Sequence, residues 1–174
     1  RPPPISTLLP STTLFRSLRP GGVTIEKLKE VLGEVALDES VLTAVDFDQA
    51  VASPGMKHTH YAPRAEMIVV CGETAAIVRK IIHMAQGFLC DGNRVGILAT
   101  KETASEYPES VYVLAPGSRF TPQIYAANLY AFLREFDVLG VDIILAEALS
   151  TQNEGLAIMN RILKAAGFRV VDAD

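Results

Sequence analysis

The chain has 174 residues, of which 49% are apolar and 21% charged, and its net charge is −4. That length holds one full domain, or one domain with an appendage, and the apolar share is ample for a core. The mild acidity excludes an overall basic field that grips nucleic acid, and no apolar run is long enough to span a bilayer. Cys71 and Cys90, the two cysteines, sit among apolar neighbours and read as buried thiols of a reducing compartment.

Residues 1–17, RPPPISTLLPSTTLFRS, show neither a period of two nor one of 3.6. They read as a disordered tail or as foreign sequence. LLPSTTLFRS resembles LFPYTTLFRS, one reading frame of a common sequencing adapter. Residues up to about Ser17 are therefore expected to be a translated artefact, and the chain from Leu18 the remnant of a longer protein.

LRPGGVTIEKLKEVLG opens with a turn and continues as a short helix. Thr24 is the expected N-cap, Ile25, Leu28, Val31 and Leu32 form an apolar stripe, and Gly33 is the stop. Nothing close in sequence covers that stripe. Residues 34–66 lack sustained periodicity and read as a long connector.

From Met67 the pattern becomes strand and helix in alternation. MIVVCG is a short buried strand, and the helix TAAIVRKIIHMAQGFL follows. RVGILAT and SVYVLAPG are further strands with a short polar helical stretch between them. TPQIYAANLYAFLREFDVLG is a helix with Thr121 as cap, Pro122 at its first position and Gly140 as its stop. Its stripe is Tyr125, Leu129, Phe132, Phe136 and Leu139. VDIILAEAL is the fourth strand, NEGLAIMNRILKAAG a helix between Asn153 and Gly167, and FRVVDAD a fifth strand. Near-continuous apolar strands separated by helices predict a Rossmann-like α/β domain over 67–174: a parallel sheet covered on both faces.

Such sheets bind ligands beyond the C-terminal ends of their strands. CGET after the first strand lacks the glycines of a dinucleotide fingerprint, which disfavours an oxidoreductase, and Glu73 there would repel a phosphate. Lys101 and Thr103 after the second strand are anion candidates, as are Ser118 and Arg119 after the third. Glu147 and Glu154 after the fourth are a candidate acid–base pair. For each, a solvated loop or helix start is the plainer reading. No catalytic triad order, paired cysteines or Walker loop is present.

SPGMKHTHYAPR, residues 53–64, is chemically richer. Lys57 and Arg64 suit phosphates, while His58, His60 and Tyr61 offer planar faces and hydrogen bonds. Pro54, Gly55 and Pro63 restrict the backbone path. His58 and His60 find no third ligand nearby for a metal. The residues alone allow a solvated linker or a segment that closes over a nucleotide site.

SPGMKHTHYAP resembles the SPGM(K)xxHYxP signature of the Sua5 branch of threonylcarbamoyl-AMP synthases. LRPGGVTIEKLKEVLG is similar to the end of their YrdC-like catalytic domain, and GLAIMNRILKAAG to the last helix of their C-terminal Sua5 domain. The resemblance runs from Leu18 to about Val171. It implies a tail over 1–17, the end of a truncated catalytic domain over 18–33, an interdomain linker over 34–66 and a Sua5 domain over 67–174.

It further implies a cytoplasmic nucleotidyltransferase that condenses L-threonine, bicarbonate and ATP, with Mg²⁺ on the ATP phosphates, into threonylcarbamoyl-adenylate for N6-threonylcarbamoyladenosine at tRNA position 37. tRNA is met indirectly, through downstream enzymes. By position, Arg19, Lys57, His58, His60 and Tyr61 are the implied nucleotide-binding residues. His58 stands where the family commonly has tyrosine. The catalytic cavity belongs to the upstream domain, so this fragment is expected to be inactive and to hold no tight cofactor or metal. A different reading makes it a non-catalytic, nucleotide- or partner-binding regulatory α/β domain.

Overall fold

The computed structural model describes residues 15–43 and 62–173. The chain order is β1 (Phe15–Ser17), α1 (Ile25–Leu32), β2 (Val35–Leu37), a 3-10 turn (Glu39–Val41), β3 (Glu66–Cys71), α2 (Thr74–Cys90), β4 (Val95–Leu98) and a second 3-10 turn (Ala104–Glu106). There follow β5 (Tyr112–Leu114), α3 (Pro122–Leu139), β6 (Ile143–Glu147), α4 (Glu154–Ala165) and β7 (Val170–Asp172).

Five strands form one parallel sheet in the order β5-β4-β6-β3-β7. The expected Rossmann-like architecture is therefore present, with FRVVDAD supplying the fifth strand. Alternation along each strand sorts side chains into two cores. Met67, Val69, Ile144 and Ala146 face α3 and α4. Val70, Ile143 and Leu145 face α2 and the β4–β5 connection. β6 is buried at every residue, as a central strand covered on both faces must be.

The connections β3→β4 and β4→β5 step one way along the sheet; β5→β6 and β6→β7 step back. Right-handed crossovers then put their helices on opposite faces. β6 therefore exits to the face opposite the exits of both its neighbours, β3 and β4. Crevices at such reversals are where this class of sheet places its polar chemistry. Glu147 is the last residue of β6.

Local signals act largely as the sequence suggests, with instructive exceptions. Thr24 caps α1, its hydroxyl accepting from Lys27 N–H at 3.3 Å, and Gly33 ends the helix at φ 80°. Thr121 and Asn153 occupy N-cap positions but make no side-chain cap bond. α3 starts instead on Pro122, with Thr121's carbonyl accepting from Ile124. Its buried stripe is Tyr125, Leu129, Leu133 and Phe136; Phe132 and Leu139, expected in it, are half-buried at its edge. The cysteines are free but not buried: Cys71 is half-buried and Cys90 exposed at the end of α2. A helix end reaches past the core, so apolar neighbours in sequence do not ensure cover there.

The N-terminal part differs most from expectation. Phe15–Ser17, inside the stretch read as foreign, pairs in parallel with Val35–Leu37, inside the stretch read as featureless connector. Val41 is fully buried and Leu42 packs against the α3–α4 core. α1 itself buries no residue, and Val31 is 82% exposed, so its apolar stripe does lack cover. Residues 1–14 and 44–61 lie outside the described residues.

Candidate functional site: a polar cluster at the strand exits

Four strand exits converge on Glu147, whose side chain is 1% exposed. From the exit of β4 come Thr100, Thr103 and Tyr107; from β5, Arg119; from β3, Thr74 at the first turn of α2. Glu147 Oε1 accepts from Tyr107 hydroxyl at 2.7 Å and from Thr103 hydroxyl. Oε2 accepts from Thr100 hydroxyl at 3.2 Å and from Arg119 Nη2 at 2.9 Å. Four donors occupy the acceptor directions of one carboxylate. Glu154, in the first turn of α4, is not among its partners. The acid–base pairing of Glu147 with Glu154 is thus replaced by a buried ion pair.

Arg119 is the hub of the cluster. Its Nη1 donates to Thr74 hydroxyl, and its Nη2 also reaches Thr100 hydroxyl at 3.0 Å. Its backbone N–H donates to Glu102 Oε2 at 3.0 Å. Its Nε lies 3.8 Å from the same carboxylate and, among the described residues, is buried with no hydrogen-bond partner. The guanidinium charge is answered by Glu147 and Glu102, so the anion reading of Ser118–Arg119 is not what the geometry builds. Thr103 is likewise spent on Glu147, and Lys101 is exposed. At the start of α2 the Glu73 carboxylate accepts from Ala75 N–H at 3.0 Å and Ala76 N–H at 3.3 Å. Rather than merely repelling a phosphate, Glu73 fills the place one would take.

Burial, reinforced by the charge of Glu147, pushes the Tyr107 phenol far above its usual range, so Tyr107 stays a neutral donor. Tyr125, fully buried in the first turn of α3, is raised by the same two causes. Its hydroxyl has no partner among the described residues. Glu102 is held below the usual carboxylate range: its slight burial works the other way, but the Ser118 hydroxyl and the Arg119 N–H outweigh it. Chemically, Glu147 is a fully engaged carboxylate and the cluster an ionic keystone that ties the strand exits together.

Arg19 is exposed, and its charge bears on Lys164 of α4. Lys57, His58, His60 and Tyr61 lie outside the described residues. Reading the sequence placed Thr103, Arg119 and Glu147 at strand exits one by one but missed Thr100 and Tyr107 as their partners. The available signal was a tyrosine and two threonines in the β4–β5 connection, opposite an acidic strand end.

The family model "Threonylcarbamoyl-AMP synthase, C-terminal domain" matches residues 23–167. The chain is 42% identical over 154 residues to a threonylcarbamoyl-AMP synthase of Bacillus subtilis, covering 88% of this chain and 42% of that one. It therefore spans less than half the length of that relative. A crystal structure of Pyrococcus abyssi Sua5 complexed with L-threonine is similar at a TM-score of 0.78 and 37% identity, over 90% of this chain and 44% of that one. A variant of the same protein, with an adjacent histidine and tyrosine changed to alanine, matches at the same TM-score and identity, over 90% of this chain and 43% of its own. The C-terminal Sua5 domain from Pyrococcus horikoshii matches at a TM-score of 0.52 and 32% identity, over 64% of this chain and 99% of that one. With most of its length matched by the family model and its parallel sheet shared with these structures, the chain belongs to the threonylcarbamoyl-AMP synthase C-terminal domain family.

Proposed function

We propose that this chain is the C-terminal part of an L-threonylcarbamoyladenylate synthase. The intact parent joins L-threonine, bicarbonate and ATP into threonylcarbamoyl-adenylate with release of pyrophosphate, and so supplies tRNA N6-threonylcarbamoyladenosine in the cytoplasm. The observation that carries this reading is the family match from residue 23 to residue 167, across both described parts of the chain.

In this reading Lys57 and Arg19 meet the nucleotide's phosphates, while His58, His60 and Tyr61 stack on or bond to it. Arg19 suits that role by its exposure. His60–Tyr61 is the chain's one adjacent His–Tyr pair, the residue types altered together in the Pyrococcus abyssi variant. ATP brings Mg²⁺ to its phosphates; this chain's own residues orient the nucleotide and exclude water from a labile carbamate and mixed anhydride. The fully engaged Glu147 carboxylate supports a scaffolding part for the Sua5 domain rather than a second reaction centre. In this reading the catalytic cavity belongs to a domain upstream of this chain, and the chain alone makes no adenylate.

The test is pyrophosphate release by the intact parent and by this chain, with ATP, L-threonine and bicarbonate. The parent is expected to turn over, this chain not to, and Lys57→Ala or Tyr61→Ala in the parent to slow it. An inactive parent overturns the reading; unchanged rates in both variants remove residues 53–64 from the mechanism.

A further inference from the structure

α4 buries more of its surface than one core can explain. Ile158, Met159, Ile162 and Leu163 pack with α3 and the sheet. Leu156, Ala157 and Asn160 are also buried, yet belong to neither core of the sheet. With Asn153 and Lys164 they form a second stripe at steps of three and four residues, on the other side of the helix. The N-terminal segment meets that stripe at Asn160. The Asn160 side-chain amide donates to Val41 carbonyl at 2.6 Å in the middle. Val41, fully buried, and Leu42, packed on the core, close the contact.

A second hold lies on the neighbouring helix. Arg64 N–H donates to Asp137 Oδ1 in the last turn of α3 at 2.7 Å. Pro63 beside it is buried, and Ala65 packs against the α3–α4 core. The two holds flank residues 44–61, and both grip main-chain atoms: a carbonyl on one side, an N–H on the other. Main-chain grips fix the path of a chain whatever side chains it carries.

We propose that the α3–α4 layer is a two-point clasp, in which Asn160 and Asp137 are positioning residues that hold the entry and the exit of residues 44–61 in set places on one side of the domain. This goes beyond the synthase reading and stands on this chain's geometry whether or not that reading holds.

The test uses the full chain carrying Cys71→Ser and Cys90→Ser, with spin labels on cysteines placed at Thr43 and Ala62. One narrow distance distribution is expected. Asn160→Ala and Asp137→Ala should each broaden it, and Asp137→Asn, which keeps an acceptor oxygen, should restore it. Asn160→Leu keeps the volume without the donor and should behave as Asn160→Ala does. By hydrogen exchange Asn160→Ala should speed the Val41 amide about tenfold, the loss of one buried hydrogen bond, with Leu145 and Ala146 unchanged. A distribution that is broad from the start, or narrow in both alanine variants, overturns the clasp. So does equal acceleration at Leu145 and Ala146, which would make Asn160 a general stability residue.

Discussion

Replacing Arg119 by methionine tests whether Glu147 is a keystone. The variant keeps most of the side-chain volume and removes one of four donors to a carboxylate that is 1% exposed. Breaking a buried pair from one side costs about 3–5 kcal/mol, and a single hydrogen bond to a charge about 1.5–3 kcal/mol. Here Thr100, Thr103 and Tyr107 continue to solvate Glu147, and the Arg119 side chain is 21% exposed. The expected loss therefore sits where those ranges meet, at about 3 kcal/mol. For a chain of this size that lowers Tm by about 6–12 °C. Arg119→Lys should recover little, because an ammonium cannot fork between Glu147, Thr100 and Thr74 as the guanidinium does. The assay is thermal and urea unfolding by circular dichroism, with Glu147→Gln and the double variant completing a cycle. A coupling energy of about 2 kcal/mol between the two sites is expected. If Arg119→Met melts within about 2 °C of the wild type, less than 1 kcal/mol on this scale, the ion pair carries no net stability and the keystone argument fails.

Alkaline pH should expose the two raised phenols. A group whose folded pKa lies above its unfolded value gives stability that is whole below about pH 10 and is lost as pH climbs toward the folded value. With Tyr107 and Tyr125 both raised, stability should fall by up to about 2.7 kcal/mol per pH unit above pH 10. Melting curves between pH 9 and 11 check this, and Tyr107→Phe with Tyr125→Phe should flatten the decline. At pH 7, Tyr125→Phe alone should be neutral or stabilising by up to about 1 kcal/mol, since it removes a buried hydroxyl without a partner among the described residues; a clear loss on urea titration would reveal one. A Cβ on Gly155 would sit 2.0 Å from Ser150 carbonyl oxygen, so Gly155→Ala must move backbone and should cost about 3 kcal/mol, at the top of the overpacking range. Gly87, inside α2 with nothing within 4 Å of such a Cβ, is the control: Gly87→Ala should raise stability by about 0.5–1 kcal/mol in the same melts.

Periodicity carried much of the fold. The helices at 74–90 and 122–139 and the five strands of the sheet follow from apolar spacing, because each element must bury one face or, in a central strand, two. Gly33 and Gly140 were legible as stops, since both adopt positive φ where a side chain strains. The polar cluster was not legible in this way. Glu147 finds its partners 28 to 47 positions away, and no local spacing rule reaches across that separation.

The sequence by itself determined the elements, the two-sided burial of the sheet and, through a long linker motif, the family. Tertiary structure alone decided the strand order β5-β4-β6-β3-β7, which sets Glu147 between exits that leave on opposite faces. It also decided that the outer stripe of α4 is a contact surface and not a solvated face. An apolar residue such as Leu156 announces that it will be buried, but the partner that buries it belongs to distant chain. Which segment returns to cover a surface is settled by packing and chain path together, and neither is written in local spacing.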